Sequence, residues 1–157
     1  MRSQHGFTIV EFIVVLVLVS IVAVFAVPRW ITSPDLEAQA QVLLGDLRYT
    51  QSLAITHDQR FRMNFSLPSH YSMTSTSGVA VVNPATGNNT TTLTPGVTIT
   101  GLTNLPNNLI AFDEKGIPYT DSAATTALAS TATITLSRNG MTRILTIIPQ
   151  TGSMHLS

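Results

Sequence analysis

The chain has 157 residues, a formal net charge of zero, and charged side chains at only 10% of positions, against about 25% in a typical soluble protein. The balance of 8 Lys+Arg with 8 Asp+Glu gives no electrostatic reason to expect nucleic acid or an acidic substrate as partner. No cysteine is present, which excludes a disulfide framework, thiolate catalysis and cysteine-ligated metal.

The first element is apolar. Residues 7–27 read FTIVEFIVVLVLVSIVAVFAV, with Glu11 as the one ionisable side chain and Thr8 and Ser20 as the hydroxyls. At about 1.5 Å per residue, such a helix covers roughly 31 Å, enough for a hydrocarbon core of about 30 Å. The Val and Ile residues lower intrinsic helix propensity, but in lipid the backbone must satisfy its own hydrogen bonds, which leaves helix as the open choice for a lone segment. Three processing schemes fit this start: a plain transmembrane anchor, a secretory signal peptide cut after Ala26, or a leader cut ahead of the apolar run. Glu11 separates them. A carboxylate in the middle of a bilayer costs about 2.5–3.5 kcal/mol, and less near an end; neither a plain anchor nor a signal peptide gains from it. The alternative is local: Glu11 lies about 6 Å along the helix from Phe7, where it could reach headgroups and favour the positive helix end.

Gly6-Phe7-Thr8-Ile9-Val10-Glu11, after a six-residue leader containing Arg2 and before the apolar run, resembles the prepilin cleavage and methylation motif of type IV pilin-like proteins. The resemblance implies that prepilin peptidase cuts between Gly6 and Phe7 and methylates the new Phe7 amine. It also implies that Glu11 attracts the Phe7 ammonium of a neighbouring subunit during assembly. A charge buried among packed helices needs an opposite charge nearby, and cleavage creates one. The N-inside topology likewise comes from the resemblance, since Arg2 and His5 before the span and Arg29 after it barely register under the positive-inside rule. Pro28 removes a helical hydrogen bond; the resemblance makes it a kink within one long helix.

A second helical pattern starts at Ser33, which can serve as N-cap with Pro34 at the first helical position and Asp35 and Glu37 in the first turn. Leu36, Ala40, Leu43, Leu47 and Ala54 follow helical spacing, with Gln39, Gln41, Asp46 and Arg48 as polar intervals. The pattern runs to about His57 and leaves the opposite face for contacts beyond the monomer.

Then the period changes to two. Phe61, Met63, Phe65 and Leu67 alternate with polar residues, predicting a strand with one buried face that Pro68 ends. Short candidate strands follow at residues 71–74, 79–82 and 97–102, around a Thr/Asn/Gly/Pro-rich stretch expected to be an exposed loop. Residues 109–112 form a further strand, closed by a solvated turn at Asp113-Glu114-Lys115-Gly116. Asn139-Gly140 predicts a type I′ hairpin between residues 132–138 and 141–148. That register places Ala132, Ile134, Leu136, Leu145 and Ile147 on one face, with Arg143 on the same face opposite Leu136, which leaves two alternatives: Arg143 snorkels at the edge, or the loop is longer and the register different.

The fold class is therefore α+β. The resemblance implies a pilin-like fold, with a long N-terminal helix whose first half spans the membrane packed on an antiparallel sheet. Its parts are a leader at residues 1–6, a transmembrane and assembly helix at 7–27, the amphipathic half of that helix at 28–57, and a periplasmic β-rich domain at 58–157. Residues 47–54, Ala111-Phe112-Asp113, Gly116-Ile117-Pro118 and Thr151-Gly152 resemble the GspH/FimT group of this family. No catalytic motif emerges. The histidines show no paired ligand spacing, no phosphate-binding glycine loop is present, and Asp113 and Glu114 lack the oxygen-ligand pattern of a calcium loop. No cofactor or metal is expected.

As implied partners, the family brings other pilin or pseudopilin subunits, prepilin peptidase, an inner-membrane assembly platform, and lipid before assembly. The implied location is the bacterial inner membrane, single-pass, with the C-terminal domain periplasmic, and then a type IV pilus or type II secretion pseudopilus. One alternative is DNA uptake, which some FimT-type proteins perform through C-terminal arginines near a glycine. Here residues 152–155 read Gly-Ser-Met-His, while Arg60, Arg62, Arg138 and Arg143 are scattered in a neutral domain, so nucleic acid is not the expected partner. The other alternative is an anchored or secreted binding domain that does not assemble.

Overall fold

The computed structural model describes residues 9–26 and 34–157. Expectations for Gly6, Phe7, Pro28 and the Ser33 cap lie outside the described residues. The chain divides into two units, residues 1–31 and residues 32–157. In the first, helix α1 runs over Ile9–Ala26.

The second unit begins with α2, Pro34–His57, which carries Asp35 and Glu37 in its first turn. Leu36, Ala40, Leu43, Leu47 and Ala54 are all buried, and Leu44 joins them. Each such Leu contributes about 1.5–3 kcal/mol relative to leaving it exposed. Two of the expected polar intervals, Gln39 and Asp46, are buried as well.

Ten strands follow, in two sheets where the sequence reading anticipates one. The first sheet holds β1 (Phe61–Ser66), β2 (His70–Ser75), β3 (Ala80–Val81), β4 (Thr90–Thr92), β6 (Leu109–Phe112) and β7 (Pro118–Tyr119), in the order β3-β2-β1-β6-β7 with β4 also on β2. The second holds β5 (Thr98–Thr103), β8 (Ala132–Arg138), β9 (Met141–Ile147) and β10 (Met154–Leu156), in the order β10-β9-β8-β5. All pairings are antiparallel. Helix α2 packs against strands of both sheets, and one hydrophobic cluster joins all three layers.

The period-two strand forms as expected over Phe61, Met63 and Phe65, but it ends at Ser66. Leu67 lies in the turn and is 48% exposed, because a turning backbone no longer alternates its side chains into the core. Of the two alternatives for the terminal hairpin the structure has the two-residue turn, with Leu136 opposite Arg143 and Arg138 opposite Met141. Asn139 and Gly140 both have positive φ (50° and 78°), as a type I′ turn requires. Arg143 neither disturbs that register nor stays in the core; its Nε donates to Glu37 Oε2 at 2.5 Å.

The stretch expected to be a loop is less open than its composition implies. It contains β4, and Asn83, Thr91 and Leu93 within it are buried. The reason is Asp46. Its Oδ2 accepts from Tyr71 Oη at 2.6 Å and from Asn83 Nδ2 at 2.6 Å, while Asn83 Nδ2 also reaches Thr91 Oγ1 at 3.0 Å. Burial, together with the adjoining Asp46 carboxylate, pushes the Tyr71 hydroxyl far above its ordinary range. Among the described residues no buried side-chain nitrogen or oxygen lacks a partner. Asp46→Ala removes the buried acceptor shared by Tyr71 and Asn83, so it is expected to cost about 3 kcal/mol. Asp46→Asn, which keeps an acceptor, should cost less; chemical denaturation of the full chain in detergent measures both.

Residues 63–112, from within β1 to the end of β6, contain no Asp, Glu, Lys or Arg. The charges of the second unit sit on α2, residues 58–62, the segment 113–121 and the terminal hairpin.

Candidate assembly site

Helix α1 reads IVEFIVVLVLVSIVAVFA over 18 residues. An amphipathic surface helix shows a polar face; α1 has none, because apolar residues occupy every side of it. Ile9, Val10 and every residue from Phe12 to Val19 are exposed, at 46–80%. Ser20 donates from Oγ to Leu16 O at 2.7 Å, so its hydroxyl is satisfied within the helix and adds no polar demand on an apolar environment. Glu11 lies in the first turn, where the helix dipole favours an acid. Its side chain is exposed. Of the site residues expected from sequence, Glu11 alone falls within the described part; Gly6, Phe7 and Pro28 do not. Among the described residues, no helix is long and apolar enough to cross a membrane.

Three segments quoted from the sequence for their family resemblance meet in the second unit. Gln51, on α2, donates from Nε2 to Gly116 O at 2.9 Å and to Gly152 O at 3.3 Å. Arg48 donates to Met154 O at 3.1 Å. One face of α2 is thus joined to the turn before β7 and to the turn before β10. Gly152 has φ +63°, and a Cβ there would stand 2.5 Å from both Gly116 O and Gln51 Nε2; a glycine is required. Sequence reading quotes these residues as a resemblance without finding their contact, since positions 65 and 101 apart along the chain carry no local signal.

The turn expected to be solvated is so at Glu114 and Lys115, which are exposed, but not at Asp113. Asp113 is buried, and its Oδ1 accepts from the backbone N–H groups of Lys115 and Ile117, with Tyr119 Oη on Oδ2 at 3.2 Å. Burial and the adjacent Asp113 raise the Tyr119 pKa above its ordinary value. The carboxylate organises the turn with the contacts a metal would otherwise compete for, and among the described residues no group of three His, Asp or Glu side chains converges on a common point. An open cleft of about 480 Å³ is lined by Leu102, Leu105, Leu128 and uncharged neighbours. A second, of about 510 Å³, is lined by Asp58, Arg60, Ser75 and Glu114 among others, with Arg60 Nε 3.9 Å from Glu114 Oε2.

The arginines that bear on DNA binding are engaged within the fold. Arg138 pairs with Asp35 and Arg143 with Glu37, while Arg62 reaches Thr74 and the Ser122 carbonyl. The hydrogen bond from Arg143 holds the Glu37 carboxyl below its usual value of 4.5. A depressed carboxyl stabilises the fold above its unfolded pKa, and the contribution is lost as pH falls through the folded value. Acidification below about pH 4.5 is therefore expected to lower the midpoint of thermal unfolding less in Glu37→Gln than in the parent chain, as followed by circular dichroism.

Residues 1–27 match the prokaryotic N-terminal methylation motif. The chain is 36% identical over 87 residues to the type II secretion system core protein G of Pseudomonas aeruginosa, a match that covers 55% of this chain and 56% of that protein. It thus spans little more than half the length of that relative. In three dimensions it is similar to the type IV minor pilin FimU of Pseudomonas aeruginosa, with a TM-score of 0.55 at 18% identity over 78% of this chain and 92% of that one. It is also similar to the minor pseudopilin EpsH of the Vibrio cholerae type 2 secretion system, with a TM-score of 0.54 at 14% identity over 78% and 96%. At these identities the structural likeness speaks for the fold alone. The chain thus carries the prokaryotic N-terminal methylation motif over residues 1–27, and its arrangement of helix and antiparallel strands shares the fold of these minor pilin and pseudopilin structures.

Proposed function

We propose that this chain is a minor pilin or pseudopilin subunit, cleaved between Gly6 and Phe7, N-methylated on Phe7, and assembled through its N-terminal helix into a type IV pilus or a type II secretion pseudopilus. The observation that carries this reading is the methylation motif over residues 1–27, placed on a helix that offers apolar side chains in every direction. Such a helix needs an apolar solvent. Before assembly that solvent is lipid, for which the 21-residue run of residues 7–27 has the required length; afterwards it is the packed helices of neighbouring subunits. Exchange of one for the other lets an anchored protein leave the bilayer, and the role is assembly rather than catalysis.

In this reading the partners are other pilin-like subunits, prepilin peptidase and the inner-membrane assembly platform. The second unit faces the periplasm, and Pro28 kinks the helix where the apolar run ends. Glu11 is the assembly residue: its carboxylate meets the cleaved, methylated amine of Phe7 on an adjacent subunit. N-terminal sequencing of the mature protein tests the scheme. A methylated Phe7 is the expected first residue. A start at Val27 would make the chain a secreted domain, and an intact Met1 would make it a plain anchored one.

A further inference from the structure

The first two turns of α2, residues 34–41, are held differently from the rest of the helix. Beyond them the helix is anchored by Leu43, Leu44 and Leu47 in the core, by Asp46 against Tyr71 and Asn83, and by Arg48 and Gln51 on two carbonyl-bearing turns. Within residues 34–41, Leu36 is the one large buried apolar side chain. Ala40 is buried beside it, and the remaining ties of these turns are polar. Gln39 Oε1 accepts from Thr94 N and Oγ1 at 2.8 and 2.7 Å. Asp35 and Glu37 pair with Arg138 and Arg143 of the terminal hairpin. The four side chains of these two pairs keep 22–53% of their surface in water, so mobile ions reach and screen them.

We propose that the Asp35–Arg138 and Glu37–Arg143 pairs form a charge-operated clasp that sets where α2 begins. When the clasp is closed, the helix starts at Pro34 on the β8–β9 hairpin; when its charges are screened or removed, residues 34–41 leave the hairpin while the helix from Leu43 onward stays docked. The clasp lies just after the boundary between the two units at residues 31 and 32. Eight helical residues span about 12 Å, and the same eight extended reach about 27 Å. Opening therefore adds about 15 Å of slack between α1 and the folded domain. This use of the slack rests on the assembly reading above: opening lengthens the segment that follows α1 and releases Leu36 and Ala40, while the core from Leu43 onward stays in place.

Hydrogen exchange of the full chain in detergent, read by mass spectrometry, tests the clasp without any filament being formed. Raising NaCl from about 20 mM to about 500 mM is expected to speed exchange of residues 34–41 about fivefold while leaving residues 46–57 unchanged. Arg138→Ala with Arg143→Ala should do the same at low salt and remove the response to salt. Exchanging the charges, with Asp35→Arg, Glu37→Arg, Arg138→Glu and Arg143→Glu together, should restore protection at low salt. The proposal is overturned if residues 34–41 ignore salt and the double variant, if the added exchange spreads equally through residues 46–57, or if the charge exchange fails to restore protection. Failure of the assembly reading would appear separately, as a mature N-terminus other than Phe7.

Discussion

Glu11→Ala is expected to leave the chain in the membrane fraction while cutting its recovery in sheared or extracted filaments by at least a hundredfold. The two halves of this result have one cause. Removing a carboxylate from an apolar helix lowers the cost of residence in lipid, by up to about 2.5–3.5 kcal/mol toward the bilayer centre, so anchoring does not suffer. Assembly loses an attraction between the carboxylate and a neighbour's N-terminal ammonium. At about 4 Å and an effective dielectric constant near 20, that attraction is about 4 kcal/mol, close to three decades in the equilibrium for adding a subunit. Glu11→Gln should fail like Ala, because an amide keeps the shape without the charge, and Glu11→Asp should recover part of the yield. Filament recovery equal to the parent's in the Ala variant would remove the charge pair from the scheme. Immunoblotting of membrane and filament fractions from the same cells reads both outcomes.

Gly152→Ala is expected to destabilise the second unit by about 3–4 kcal/mol without touching α1. Part of the cost is conformational: the backbone at φ +63° is left-handed, which an L side chain adopts at a cost of about 1–2 kcal/mol. Part is steric, because the new Cβ would lie 2.5 Å from the Gly116 carbonyl oxygen and 2.5 Å from Gln51 Nε2, so the turn or the side chain must move. Moving it breaks the two hydrogen bonds by which Gln51 joins α2 to both sheets, at about 0.5–1.5 kcal/mol each. Gln51→Ala in the same background relieves one clash and leaves the other, which is against backbone. The double variant should therefore be less destabilised than the sum of the two singles. Urea unfolding of the full chain, followed by far-ultraviolet circular dichroism, gives all three values; strict additivity would show that the Gly152 and Gln51 contacts are independent.

Local patterns explain which parts of this molecule are legible in its sequence. The hairpin is readable because Asn139-Gly140 dictates the turn and the turn dictates the register, down to Arg143 opposite Leu136. β1 is readable from its alternation, and α2 from the spacing of Leu36, Ala40, Leu43 and Leu47. The short strands β4 and β10 are not: three residues such as Thr90–Thr92 contain too little period to distinguish them from loop. Nor is the burial of Asp46, Asn83 and Asp113 readable, because a polar side chain enters a core only when partners distant in the chain satisfy it. The division of strands into two sheets depends on the same distant pairings. At the assembly site the reverse holds. Glu11 is conspicuous in sequence because the residues around it are almost all apolar, whereas in the fold its helix shows exposed apolar side chains and no local feature that marks the carboxylate.

The long uncharged span from within β1 to the end of β6 bears on how such domains live beside one another. Coulomb self-repulsion grows with the square of the like charge brought together, and this surface brings very little. In the proposed assembly, copies meeting through the exposed residues of this span would present threonine, serine and asparagine, whose hydroxyls and amides hydrogen-bond equally well to water or to an adjacent copy. Close approach of like copies through such residues would cost little Coulomb energy, whatever the ionic strength.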